Sequence, residues 1–173
     1  MPTIIAKTPR LLIRLIEPGD AAAMYAVYGD ADAMRWVDDG QPLTAADAER
    51  WVQATRHNYE TRGYGMYALV ERESGEVIGF AGLVHPHDQK EAELKYALRR
   101  ETWGRGLATE AAVALLAHGE SAHGLRHVIA TTAPENEPSH RVLLKAGMRR
   151  GELRTEPDGS LTLLFEWRAA DSR

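Results

Sequence analysis

The sequence predicts a single α/β domain in which helices flank a mixed β-sheet. Three observations support this. The length of 173 residues suits one domain. Strand-like runs form a meander over residues 64–98, and after residue 104 helical and strand-like patterns alternate. Because the chain contains no internal repeat, linker or low-complexity tract, we expect one domain over residues 1–173, with a core at about 8–168.

The individual elements follow from hydrophobic periodicity and from the turn and capping residues between them. Strands are expected over residues 11–16, 64–71, 77–84, 91–98, 127–132, around 153, and 160–167. Helices are expected over residues 21–28, 45–62, 104–118 and 137–146. Asp20 is expected to cap the first helix, and Thr44 with Asp47 the second.

The strand over residues 91–98 alternates in character, and this alternation assigns its faces. Successive side chains of a strand point to opposite faces of the sheet. One face therefore carries Ala92, Leu94, Tyr96 and Leu98, and the other carries Glu91, Glu93, Lys95 and Ala97. We expect the first face to be buried and the second to be open.

Composition excludes several classes of protein. A net charge of -4 and a pI near 6.0 argue against nucleic-acid and anionic-membrane partners. The absence of cysteine excludes disulfides, a thiolate nucleophile and cysteine-ligated zinc. The run His85–Asp88 is more typical of a polar loop than of a metal site, so no metal is expected. With no secretory or membrane-spanning apolar run, we expect a cytoplasmic protein.

The residues around Gly104 and Gly106 combine a strand, a short loop and the start of the clearest helix. A helix N-terminus presents unpaired N–H groups and partial positive charge, and glycines allow a pyrophosphate to approach the backbone. Arg105 can add a charge-assisted contact. Taken alone, the two glycines are more typical of a simple turn into the helix. The Rossmann and Walker patterns are both absent.

Two motifs in this order resemble the GNAT superfamily of N-acetyltransferases. Gly106 and Ala108 match the small positions of its pyrophosphate loop, whereas Trp103 replaces the usual Gln or Arg. That departure resembles the branch of RimJ- and RimL-type ribosomal-protein N-terminal acetyltransferases. A second match runs from Asn136-Glu-Pro-Ser139 to Lys145-Ala-Gly147. The opening Thr8-Pro-Arg-Leu-Leu-Ile-Arg-Leu extends the resemblance over nearly the whole chain.

The resemblance implies the GNAT fold, with a mixed central sheet splayed around the cofactor, and acetyl-CoA as co-substrate. The residues it assigns to the pantetheine arm, through their backbone, are Tyr96, Ala97 and Leu98. Those it assigns to the pyrophosphate are Gly104, Arg105, Gly106, Leu107, Ala108 and Thr109. Asn136 is expected to reach the pantetheine, to cap its own helix, or to do both.

Acetyl transfer to an amine requires a base and a partner for the departing thiolate. The resemblance assigns the base to Glu93, and the alternative is a solvated strand carboxylate beside Lys95. Many family members place a proton-donating tyrosine on the last helix, where this chain has Leu143. Ser139, one turn earlier, is the remaining candidate, unless it only supports the first helical turn.

The acceptor is expected to be a primary amine, either a protein N-terminus or a small molecule, and the protein a monomer or homodimer. The missing tyrosine leaves a second class open, a non-catalytic acyl-CoA-binding regulatory module. Trp36 can line an acceptor groove. Asp38 and Asp39 can attract a cationic amine, although an exposed acidic loop is the preferred interpretation.

Overall fold

The computed structural model describes residues 1–36 and 40–170, which form one eight-stranded sheet with helices on both faces. The strands are β1 (Ile4–Lys7), β2 (Leu11–Leu15), β3 (Met66–Glu71), β4 (Val77–Val84), β5 (Ala92–Leu98), β6 (His127–Thr132), β7 (Arg149–Thr155) and β8 (Leu161–Arg168). Their spatial order is β1-β2-β3-β4-β5-β6-β8-β7. Only the pairing of β5 with β6 is parallel within this sheet, which confirms the predicted mixed sheet.

The helices divide between the two faces. They are α1 (Ala21–Tyr28), α2 (Ala31–Met34), α3 (Ala45–Arg62), α4 (Leu107–His123) and α5 (Glu137–Lys145). One core cluster joins α4 and α5 to the sheet through Leu94, Leu115 and Leu143. A second cluster joins α1 and α3 to the opposite face through Met24 and Val52. None of the helices within the described ranges is long and apolar enough to cross a bilayer.

Because both faces are covered, the expectation of an open face on β5 is wrong. Glu93 is only 4% exposed and Ala97 only 8% exposed. Ala97 belongs to the cluster beneath α1 and α3, while Leu94 and Leu98 belong to the cluster beneath α4. The period-two alternation is therefore confirmed, but it separates two cores rather than a core from solvent.

Local capping is confirmed at one helix and wrong at another. At α3, Thr44 and Asp47 form the predicted reciprocal capping box. Asp20, however, makes no side-chain cap to α1. Its buried carboxylate instead accepts hydrogen bonds from Arg14 Nη1 and Nη2, at 2.8 and 2.9 Å. A buried carboxylate is stabilised better by a bidentate guanidinium than by one backbone amide.

Helix α4 also runs beyond its predicted end. It continues through Gly119 to His123 and ends at Gly124, whose φ is 65°. A Cβ on Gly119 would lie 2.7 Å from Leu83 Cδ1, so this glycine permits close packing of the helix on the sheet. Two further elements, β1 and α2, are short and were not predicted.

Candidate active site

The central feature of the sheet is a gap between β5 and β6. The two strands are in register only at Ala92↔Val128 and Glu93↔Ile129, after which they separate. A cleft of about 950 Å³ opens there. Its walls come from β5, the loop before α4, the end of β6, the first turns of α5, α2 and its following turn, and the start of β8. The cleft therefore brings together segments that lie far apart in the sequence.

The backbone of β5 determines which groups face this gap. The Arg99 amide donates to the Ile78 carbonyl at 2.7 Å, so the backbone of Arg99 points to β4. Backbone direction alternates along a strand. Tyr96 and Leu98 therefore point their amide and carbonyl groups towards the gap, whereas those of Ala97 point to β4. Ala97 lines the cleft, but its backbone groups point away from the gap, so its pairing with the pantetheine stays a prediction that this direction does not support.

Trp103 engages one of the β5 backbone groups that would otherwise face the gap. Its indole Nε1 donates to the Leu98 carbonyl at 2.8 Å, while 48% of the residue stays exposed beside the cleft. The Tyr96 amide and carbonyl and the Leu98 amide are then among the groups that β5 directs into the gap. Trp103, which departs from the family pattern, thus forms a hydrogen bond with the last carbonyl of β5.

The loop before α4 turns through two glycines in the left-handed region. Gly104 has φ 75° and Gly106 has φ 78°, a conformation that costs other residues roughly 1–2 kcal/mol. Leu107, Ala108 and Thr109, which form the first turn of α4, line the cleft together with these glycines. Their position places a helix N-terminus at the cleft.

The side chain of Arg105 does not point into the cleft. Its Nη2 donates to Glu71 Oε1 at 2.6 Å, which corrects the expectation of a guanidinium contact to phosphate. This ion pair lowers the pKa of Glu71, chiefly through the hydrogen bond from Arg105. The loop therefore offers the cleft its backbone groups, and the charge of Arg105 fixes it to the end of β3.

A second anchor comes from the chain segment between β1 and β2, which sequence reasoning missed. Arg10 Nη1 donates to the Arg105 carbonyl at 2.6 Å, and Arg10 Nε donates to Glu110 Oε1 at 2.9 Å. Thr8 Oγ1 donates to Glu110 Oε2 at 2.5 Å. Burial acts to raise the pKa of Glu110, but the hydrogen bonds from Thr8 and Arg10 outweigh it and lower that pKa. The segment thus holds both the loop and the first turn of α4.

Glu93 lies at the cleft with both carboxylate oxygens engaged. Gln89 Nε2 donates to Oε1 at 3.1 Å, and Thr131 Oγ1 donates to Oε2 at 2.9 Å. Lys95 Nζ lies 3.9 Å from Oε2. Because Glu93 is only 4% exposed, it is not the solvated strand carboxylate that the sequence left as the alternative. No local signal identified Thr131, because β6 and β5 meet only in the folded sheet, and Gln89 was missed because it lies in the loop before β5 rather than on the strand.

Ser139 lies in the first turn of α5. The Asn136 side chain accepts a hydrogen bond from the Ser139 amide at 3.4 Å, so Asn136 caps the helix as predicted. The Tyr96 hydroxyl oxygen lies 2.5 Å from Ser139 Oγ. Burial raises the pKa of Tyr96 to about 12, although the Ser139 hydrogen bond partly opposes that rise. Leu143 is 1% exposed and belongs to the core.

The side chains of Glu93 and of Tyr96, which contacts Ser139, lie on opposite faces of β5. Tyr96 packs against the core cluster of α4 and α5, and it contacts Ser139 there. Glu93 shares its face with Ala97, which packs against the cluster of α1 and α3. The cleft is lined from both faces, so it passes through the sheet where β5 and β6 separate.

Other sequence candidates lie apart from this arrangement. His85 uses both ring nitrogens within the fold, with Tyr64 Oη at 2.6 Å and the Gln89 carbonyl at 3.0 Å. Asp88 pairs with Arg62. Trp36 lines the cleft and is 41% exposed. Asp38 and Asp39 lie outside the described residues.

Known acetyltransferases resemble this chain in sequence and in fold. The family model described as "Acetyltransferase (GNAT) domain" matches residues 10–149. An uncharacterized N-acetyltransferase of Bacillus subtilis, YnaD, is 32% identical over 83% of this chain and 81% of its own length. A putative GNAT-family acetyltransferase from Bordetella pertussis is 30% identical, with a TM-score of 0.78 over 95% of this chain and 98% of that one. A GNAT-family acetyltransferase from Bacillus anthracis is 25% identical, with a TM-score of 0.81 over 97% and 98%.

More distant structures share the fold alone. RimL, a ribosomal L7/L12 α-N-protein acetyltransferase solved with coenzyme A, is 18% identical with a TM-score of 0.81 over 95% of this chain and 97% of that one. An acetyltransferase solved with ribostamycin and coenzyme A is 20% identical with a TM-score of 0.76 over 92% and 93%. The same sheet architecture thus occurs in a protein acetyltransferase and in an acetyltransferase solved with ribostamycin.

Proposed function

The chain belongs to the GNAT acetyltransferase family, and we propose that it transfers acetyl from acetyl-CoA to a primary amine by direct attack in a ternary complex. The observation that carries the proposal is the cleft between β5 and β6. It joins a glycine loop and helix N-terminus to a buried, hydrogen-bonded carboxylate. These are the two requirements of amine acetylation, a phosphate site and a base.

On this proposal the cofactor's pyrophosphate is held by backbone N–H groups of residues 104–109. The pantetheine arm pairs with the amide and carbonyl of Tyr96 and the amide of Leu98, which face the gap. Asn136 lies on the other side of the cleft and can reach the same arm. The thioester supplies an activated acetyl group, and the protein's task is to orient it towards the amine.

Glu93 is the proposed base, acting directly or through a water molecule. An α-amine has a reference pKa of about 8 and is mostly protonated at neutral pH. Removal of one proton gives the nucleophile, whose nitrogen attacks the thioester carbonyl. The C–N bond forms, and the nitrogen then loses a second proton to Glu93, whose first proton has passed to solvent. The C–S bond breaks, with its electron pair moving to sulfur. Ser139 donates a hydrogen bond to the sulfur as negative charge develops there.

Among primary amines, the proposed acceptor is a protein N-terminal α-amine. Its support is the resemblance of the Trp103 loop to the RimJ and RimL branch, and the distant relation to RimL agrees only at the level of the fold. Small amines are the alternative, because a shared fold does not fix a substrate.

A two-part experiment tests the proposal. Calorimetry measures acetyl-CoA binding, and an acetylation screen then covers peptide N-termini, polyamines, amino acids and aminoglycosides. We expect binding and transfer to at least one peptide N-terminus. Transfer only to a small amine would remove the peptide acceptor and keep the reaction. Binding without transfer to any acceptor would favour the regulatory acyl-CoA module, and absence of binding would refute the proposal.

A further inference from the structure

We propose that the Tyr96 hydroxyl is a positioning group for Ser139: it donates to Ser139 Oγ and so turns the serine's own proton towards the sulfur of the departing CoA. This inference rests on the proposed function. It assigns a task to the side chain of Tyr96, whereas the family resemblance implicates only its backbone.

The first support is the geometry of the contact. The Tyr96 and Ser139 hydroxyl oxygens are 2.5 Å apart, while the Ser139 carbonyl lies 3.4 Å from the Tyr96 hydroxyl. The shorter distance identifies Oγ as the principal partner of the phenol. A serine hydroxyl has one proton and two acceptor lone pairs. When it accepts from Tyr96, its single proton is available for another acceptor.

The second support is where the two residues lie. Both line the cleft, and their contact bridges β5 and the first turn of α5 across the gap. His140 fixes that turn from the other side, since its Nε2 lies 2.9 Å from Thr132 Oγ1 at the end of β6. The serine is therefore held on a turn that is tied to both separating strands.

The third support is the protonation state of the phenol. Burial raises the pKa of Tyr96 to about 12, so the group keeps its proton throughout the neutral range. A thiolate is the conjugate base of a thiol with a reference pKa of about 8.5, so it cannot take a proton permanently from such a phenol. Tyr96 and Ser139 thus contribute hydrogen bonds and return unchanged. The nitrogen loses one proton to Glu93 before attack and a second after the C–N bond forms, once Glu93 has passed the first to solvent, and the C–S electron pair stays on sulfur.

The Tyr96–Ser139 pair also explains how the site works with Leu143 at the position where many family members have a tyrosine. Leu143 is packed in the core and has no polar group to offer the sulfur. Tyr96 supplies a phenol from β5 instead, and it acts through Ser139 rather than on the sulfur directly.

The test compares Tyr96→Phe, Ser139→Ala and the double variant. Loss of a donor to a developing anion costs about a hundredfold or more in kcat, and we expect that for Ser139→Ala. Tyr96→Phe should lower kcat by about tenfold, which is one hydrogen bond's worth, and leave the KM for acetyl-CoA unchanged. The double variant should match Ser139→Ala, because the phenol acts only through the serine.

A second readout does not depend on turnover. The thiolate of bound CoA absorbs in the ultraviolet, so a pH titration of the complex gives the pKa of its thiol. We expect that pKa to lie below that of free CoA in the wild type, and to rise in Tyr96→Phe and Ser139→Ala. The matched control is Tyr64→Phe, which removes a hydroxyl bonded to His85 and lies outside the cleft lining. It should change neither kcat nor the thiol pKa.

The outcomes separate the two proposals. Normal kcat and an unchanged thiol pKa in a folded Tyr96→Phe variant would overturn the positioning role alone. The same conclusion follows when Tyr96→Phe slows Ser139→Ala further, or when Tyr64→Phe has an equal effect. Failure of the wild type to bind CoA would remove the proposed function and this inference with it. Thermal melts show how much of each variant is folded, so that rates are compared per folded protein.

Discussion

Glu93→Gln tests the base directly, because the structure makes this substitution nearly isosteric. Glutamine keeps one side-chain oxygen as an acceptor, and the Thr131 hydroxyl can rotate to accept from the new amide. The ion pair to Lys95 has a length of 3.9 Å, and its loss should contribute little to folding. A change in rate should therefore report the lost basicity rather than a rearranged site.

The size of the effect follows from the ionisation of the acceptor. A general base contributes about a hundredfold or more, so kcat/KM at pH 7 should fall by about that factor. With an amine pKa of about 8, the neutral fraction is about a tenth at pH 7 and about nine tenths at pH 9. The variant should depend on that fraction, so its deficit relative to wild type should shrink about tenfold over this range.

The assay follows CoA release with a thiol reagent, using a peptide N-terminus as acceptor and saturating acetyl-CoA. Glu91→Gln is the matched control, since Glu91 lies just before β5 and outside the cleft lining. It should behave as wild type at every pH. Full activity of Glu93→Gln across the range, or a deficit that stays constant with pH, would refute the assignment of Glu93 as the base.

Two further predictions concern the loop and the histidines. Gly106→Val should weaken acetyl-CoA binding measured by calorimetry, because φ is 78° and a Cβ would lie 3.4 Å from Arg10 Nη2. The control is Gly75→Val, which has φ 74° and no atom within 4 Å, and so bears a similar backbone cost away from the loop. An equal loss of affinity in both variants would contradict the prediction. Burial and the nearby His123 lower the pKa of His118, so its contribution to stability is fully present above the unfolded pKa of about 6.5 and is lost as pH falls towards the folded pKa. His118→Phe should therefore lose less free energy of unfolding than wild type between pH 7 and pH 5 in urea titrations; equal losses would contradict this.

Much of the fold followed from the sequence because most strands pair with their neighbours along the chain. The meander of β3, β4 and β5 needed only period-two alternation and turn residues. The parallel pairing of β5 with β6 could be placed in the sheet only through a family resemblance. The resemblance also implied a splayed sheet, but the residues at which the two strands separate could not be predicted, because no local pattern specifies that point.

Side-chain partnerships were the least predictable part. Asp20 has the sequence position of a cap, but Arg14 from β2 lies close enough to bind it in the folded chain. Arg105 likewise has the position of a phosphate ligand, yet Glu71 binds its guanidinium. In both cases an ion pair with a residue of another element competes with the local role, and its geometry exists only in the folded chain.

The alternation of β5 also bears on the kinetic mechanism. Glu93 and Tyr96 are three positions apart, so they lie on opposite faces, and the gap between β5 and β6 joins those faces. On the proposed function the acceptor enters from the side of α1 to α3 and the cofactor from the side of α4 and α5, so neither blocks the other.

The proposed function is direct transfer, so both substrates should be bound when the C–N bond forms. Double-reciprocal plots at several fixed acetyl-CoA concentrations should then intersect. Parallel lines, together with acetylated protein detected by mass spectrometry in the absence of acceptor, would instead require a covalent intermediate and would overturn direct transfer.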